Sequence, residues 1–137
     1  MGHAPFPELV RQFYSALESL GVEYIAYGGI AVGVWGDPRV TQDVDAVVVI
    51  EPDECPRVLD GLRAAGFDVT DRSATTFPID GWLRGSWRGR FADLALGRTP
   101  FDQSAADRKV RATILGQTLW VVSAEDLVLY KLMAYRY

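Results

Sequence analysis

The chain has 137 residues, about half of them apolar, a net charge of −4, one cysteine and one histidine. These numbers describe a single globular domain near the lower size limit of an enzyme, and they exclude an internal disulfide, a thiolate metal cluster and a His-based triad or zinc site. The acidic balance argues against broad, nonspecific nucleic-acid binding. No run approaches the ~18 apolar residues of a membrane span, and the start MGHAPFPE lacks a signal peptide's basic and hydrophobic regions, so the expected compartment is the cytoplasm.

Residues 1–137 read as one domain, with 1–6, including His3, as a flexible leader. Residues 7–20 carry Leu9, Val10, Phe13, Ala16, Leu17 and Leu20 at the i, i+3, i+4 spacing of an amphipathic helix, and Gly21 is its stop. Residues 22–27 form a short buried strand. Gly28 and Gly29 follow it and open a second helix over 30–35, whose first backbone N–H groups have no partner within the helix. A phosphate fits there. So does a plain strand-to-helix turn that needs positive φ. Asp37-Pro38 ends that helix, because proline disfavours helix in the residue before it.

Residues 39–42 lead into a strand that starts with Asp43 and Asp45 and continues as an apolar tail, 46–50, suited to a central strand covered on both faces. Residues i and i+2 of a strand share a face, so these two carboxylates project together with Cβ atoms roughly 7 Å apart. Like charges that close are costly unless a cation sits between them. Two hydrated aspartates at a strand entrance would account for Asp43. They would not account for Asp45, which adjoins a run that should be buried, where an unpaired charge is expensive. Metal ligation is the favoured reading of the pair.

Pro52 starts a helix with Val58, Leu59, Leu62 and Ala65 on one face and Gly66 at its end; Cys55, in its first turn, is a packing or surface residue. Residues 67–70 read as a strand or strand end. Residues 71–80, rich in Thr and turn formers, read as a loop. Segments 82–87 and 90–96 form a hairpin joined near Gly89, and the second holds Asp93 before Leu94-Ala95-Leu96. Arg84, Arg88, Arg90 and Arg98 stand here against Asp93 alone, as either a solvated edge or an anion-facing surface. A helix over 101–108 and extended segments 110–114 and 118–122 around Gly116 follow. Ser123 and Asp126 resemble a capping box for the last helix, which carries Leu127, Tyr130 and Ala134 on one face and Lys131 one turn beyond Leu127.

Gly28-Gly29 followed by Arg39, Thr41, Asp43 and Asp45 resembles the motif of the nucleotidyltransferase superfamily that includes DNA polymerase beta. From about Leu20 to the end, the chain is similar to small bacterial nucleotidyltransferases of the abortive-infection (AbiEii) toxin kind. Glu125-Asp126-Leu127, Lys131-Leu132, Ala134 and Arg136 match the last helix of that group. The resemblance implies an α/β (α+β) fold, a mixed twisted sheet with helices mainly on one side and the site on two adjacent strands. It implies Asp43, Asp45 and Asp93 as ligands of Mg²⁺ or Mn²⁺, with Asp93 on a neighbouring strand assisting the acceptor oxygen. Gly28, Gly29, Arg39 and Thr41 would bind nucleotide, and Lys131 would be a site residue. Arg39 either contacts phosphate or braces its loop, and Lys131 either serves the site or snorkels to the surface.

The implied reaction moves NMP from an NTP such as ATP to an acceptor hydroxyl with loss of pyrophosphate, metal ions stabilising both the attacking and the leaving oxygen. The acceptor is an RNA 3′ end, a protein side chain or a small molecule such as an antibiotic. Related chains usually continue past the last helix, with a further Lys-Asp pair and a helical part, which is expected to be missing here. Two other classes compete. A non-catalytic or partner-dependent nucleotide-binding module, one half of a complex such as a toxin–antitoxin pair, accounts for the small size. A dinucleotide fold, with Glu51 ending its second strand, accounts for the strand–glycine–helix order. However, residues 28–33 lack GxGxxG spacing, and that fold leaves Asp43 and Asp45 unexplained.

Overall fold

The computed structural model of the chain describes residues 2–35 and 43–136, with side chains as far as residue 133. Helix α1 (Phe6–Leu20) starts with proline in its first turn, ends on Gly21 in the left-handed conformation, and buries Leu9, Val10, Phe13, Tyr14 and Leu17. In place of a flexible leader, Ala4 is buried; its N–H donates to the Arg88 carbonyl at 3.0 Å and its carbonyl accepts from Arg90 Nε at 2.7 Å. The chain is therefore tied to the sheet before α1 begins.

Six strands, β1 (Glu23–Ala26), β2 (Val44–Val49), β3 (Trp82–Trp87), β4 (Arg90–Leu96), β5 (Val110–Ile114) and β6 (Gln117–Val121), form one sheet in the order β3-β4-β2-β1-β6-β5. Strand β2 is antiparallel to β1 and parallel to β4, and β1 is parallel to β6. Antiparallel pairing of β1 with β2 is incompatible with a dinucleotide fold, whose first strands run parallel. The sheet is mixed, as expected. Strands β3–β4 and β5–β6 are hairpins with two-residue turns, Arg88-Gly89 and Leu115-Gly116, whose positive φ at both positions matches the twist of the flanking strands.

The two faces of β2 do different work. Val44, Ala46 and Val48 point with Tyr24, the partner of Val48, toward α1, where Tyr14 stacks on Tyr24 at 6.0 Å. Helix α3 (Cys55–Ala64), entered through a single 3-10 turn at Pro52–Glu54, packs beside α1 and buries Cys55. On the other face α5 (Pro100–Asp107) crosses the Val47–Val49 end, against Gly97, where an added Cβ would lie 2.9 Å from Val47 Cγ1. The Asp45 end of this face is left to the short helix α2 (Gly29–Trp35) and to α6 (Ala124–Arg136).

One expected loop is a helix. Residues 71–80 form α4 (Asp71–Asp80), because the Thr70 hydroxyl accepts the Ser73 N–H at 3.1 Å and Gly81 closes the other end in the left-handed conformation. Phe77 is fully buried, so packing against α3 and β3 outweighs the poor helix propensity of its Thr residues and Pro78. Residues 67–70, expected as a strand or strand end, contribute one bridge, Asp68 to Ser86. Among the described residues, no helix is long and apolar enough to cross a membrane.

Candidate active site

Asp45 and Asp93 are direct partners in the parallel pair β2–β4, and Arg84 is the partner of Asp93 across the β3–β4 hairpin. Cross-strand partners share a face. The three side chains therefore form one row across three strands, and Asp43, two residues before Asp45, joins it. Arg84 grips Asp93 with a two-pronged fork, Nε to Oδ1 at 2.8 Å and Nη2 to Oδ2 at 3.0 Å, and its Nη2 lies 3.6 Å from Asp43 Oδ2. The guanidinium also sits 4.7 Å over the Phe91 ring.

The electrostatics of the row centre on Asp45. Burial pushes its carboxyl up to about 7, the negative charges of Asp93 and Asp43 push the same way, and Arg84 opposes them. The strand bearing it is anchored from behind, since the Tyr14 hydroxyl donates to the Asp45 carbonyl at 2.8 Å. On its open side lies the glycine turn. Gly28 has φ 72° and lies so close to the Asp45 carboxylate that an added Cβ would collide with it. Both the backbone conformation and the space therefore demand glycine. The Gly28 carbonyl accepts the Val32 N–H at 3.0 Å, and Gly29 begins α2.

Beside the turn opens an apolar cavity of about 470 Å³ lined by Tyr27, Gly28, Leu127, Tyr130, Lys131 and Met133. Tyr130 shapes it, packing on Tyr27 at 5.8 Å and Phe101 at 4.9 Å while its hydroxyl donates to Asp102 at 2.6 Å. Lys131 is exposed at the rim, in the cavity wall and outside the carboxylate row. Ser123 caps α6, its Oγ accepting the Asp126 N–H at 3.2 Å, and the buried Asp126 carboxylate takes two hydrogen bonds from Arg108 at 2.9 and 2.8 Å. Its role is structural.

The structure thus brings together Asp43, Asp45, Asp93 and Gly28, and it sets Lys131 one cavity away. Arg39 and Thr41 lie outside the described residues. Sequence reasoning counted Arg84 only as one of several arginines. The missed signal was register: a two-residue turn at Arg88-Gly89 puts Arg84 opposite Asp93. The three carboxylates offer only hard oxygen donors, which suit Mg²⁺ or Mn²⁺. Among the described residues no three acidic or sulfur or imidazole groups are already drawn together as a metal cradle. Arg84 places a positive charge against Asp93 and Asp43.

No family model matches the sequence, and no curated protein matches it. Solved structures do. The chain is similar to the antibiotic-resistance factor ANT(2″)-Ia, with 14% identity and a TM-score of 0.68 over 95% of this chain and 71% of that one. It is similar to the lincosamide antibiotic adenylyltransferase LnuA, with 14% identity and a TM-score of 0.64 over 94% of this chain and 87% of that one. An antigenic nucleotidyltransferase-like protein from Paracoccidioides brasiliensis aligns with 19% identity and a TM-score of 0.59 over 93% of this chain and 65% of that one. At such identities a likeness speaks for architecture, and in architecture this chain has the nucleotidyltransferase fold.

Proposed function

We propose that this chain is a divalent-metal-dependent nucleotidyltransferase that moves NMP from an NTP to an acceptor hydroxyl, with pyrophosphate leaving. One observation carries the reading: Asp45 and Asp93 are direct partners on adjacent strands, joined by Asp43, and face a glycine turn that admits no side chain. Asp43, Asp45 and Asp93 would hold Mg²⁺ or Mn²⁺, which when bound supplies positive charge to the attacking and leaving oxygens. Asp93 orients the acceptor hydroxyl and receives its proton as that oxygen bonds to the α-phosphorus and the bond to pyrophosphate breaks. The Gly28-Gly29 turn receives the phosphates on backbone N–H groups, and Arg39 and Thr41 would contribute to nucleotide binding. Lys131 neutralises phosphate charge from the cavity rim, and Tyr27 and Tyr130 bound the space beside it.

Of the similar structures, one is named an antibiotic-resistance factor and another a lincosamide antibiotic adenylyltransferase, and the net charge of −4 disfavours a polyanionic RNA acceptor. A small-molecule hydroxyl is therefore the favoured acceptor. The test is incorporation of labelled NTP with Mn²⁺ by the wild type and by Asp45→Asn. The substitution is expected to lower turnover on the order of 10³-fold, the loss typical of removing a group that stabilises transition-state charge; unchanged turnover refutes the assignment.

One observation favours a partner-dependent form, as in a two-component toxin–antitoxin complex. Helix α6 leaves Val128, Leu129 and Leu132 exposed away from the cavity, and apolar side chains grouped on one helix in this way are normally covered. A monomer by light scattering that turns over NTP alone would remove this second reading.

A further inference from the structure

Resting on the metal-dependent reading above, we infer that Arg84 is the resident counter-cation of the acidic row, a positioning residue that a divalent ion must displace. The guanidinium contacts both oxygens of Asp93 and approaches Asp43 Oδ2, the atoms a metal ion would take. Asp93 keeps only 12% of its side chain exposed, so its charge needs a partner whenever no metal is present. Arg84 is that partner, and its fork is matched to one carboxylate.

Its placement lets it leave. Strand β3 is the edge of the sheet and the Arg84 side chain is 43% exposed, so the guanidinium has an open path to solvent. The guanidinium already stacks on Phe91, with the ring centroid 4.7 Å away, a contact that can persist when the fork on Asp93 opens. The β3–β4 hairpin does not need the ion pair for its register, which runs from Trp82–Ala95 to Trp87–Arg90 and is set by the turn. Metal and guanidinium compete for the same charge on Asp43 and Asp93. Metal binding without nucleotide is therefore weakened. A metal arriving with a triphosphate meets less opposition, because phosphate oxygens can accept the released guanidinium.

The experiment is Mn²⁺ titration by electron paramagnetic resonance, without nucleotide, on the wild type, Arg84→Gln, Arg84→Lys and Asp45→Asn. Arg84→Gln is expected to bind Mn²⁺ roughly tenfold more tightly than the wild type, the effect of removing one charge-assisted contact. Arg84→Lys keeps the charge but gives up the fork, so it should fall between them, and it carries the test if Arg84→Gln does not fold. Affinity unchanged or weaker in the folded Arg84 variants would overturn the inference and leave Arg84 as an ordinary cross-strand pair. If no protein binds Mn²⁺ and Asp45→Asn is indifferent, the metal reading itself fails, and the inference with it.

Discussion

Gly28 shows how one residue can be fixed twice, by its backbone and by its neighbour. Its φ of 72° costs an L-residue about 1–2 kcal/mol, and the Asp45 carboxylate occupies the place a methyl group would need. Gly116 shares the first constraint, with φ 82°, but has nothing within 4 Å of an added Cβ. The two glycines separate strain from site geometry. Gly116→Ala is expected to lose about 1 kcal/mol in urea unfolding and leave the proposed nucleotidyl transfer unchanged. Gly28→Ala should lose at least that, and transfer should fall on the order of 10²-fold because Asp45 is pushed out of line.

At the scale of elements, helix ends decide what the hydrophobic pattern leaves open. The start of α4 rests on Thr70, whose hydroxyl takes the Ser73 N–H, so Thr70→Ala is expected to cost about 1 kcal/mol by urea denaturation. At the α6 start the Ser123 hydroxyl takes the Asp126 N–H, and the Asp126 carboxyl is held below its ordinary value by hydrogen bonds from Arg108, against the opposing effect of burial. A lowered folded value means the protein gains stability from this group only where it is ionised. The gain is present above the ordinary aspartate value, about 4, and is lost as pH falls through the lowered value. Comparing the wild type with Arg108→Gln across a pH series, the stability gap should be constant above about pH 5 and shrink below about pH 4. A gap that widens in acid would contradict this account.

For the molecule as a whole, the sheet order sets both the rigidity and the position of the site. Strands β1 and β2 are central, covered by α1 on one face and partly by α5 on the other, while β3 and β5 are edges. Amide hydrogen exchange should be slowest in β1 and β2 and fastest in β3 and β5, because edge strands open without unfolding the core. The carboxylate row runs from the rigid centre to the edge. Asp45 is held on a protected strand, and Arg84 sits on the exposed one.

The amino-acid sequence alone determined most of what is local. Glycine stops, turn signals and apolar spacing marked α1, α3, the β3–β4 hairpin, the extended segments of β5 and β6 and the β1-to-α2 turn, and the Asp43, Asp45 spacing singled out the acidic pair. These signals are legible because each depends on residues a few positions apart. Helix α4 escaped because its cap is one hydroxyl and its reason to fold is the burial of Phe77 among elements distant in sequence. Only the tertiary structure decided that Asp93 stands beside Asp45, that Arg84 spans Asp93 and Asp43, and that Lys131 faces a cavity. Strand order and register are set by packing over the entire sheet, and no local pattern encodes which distant strands become neighbours.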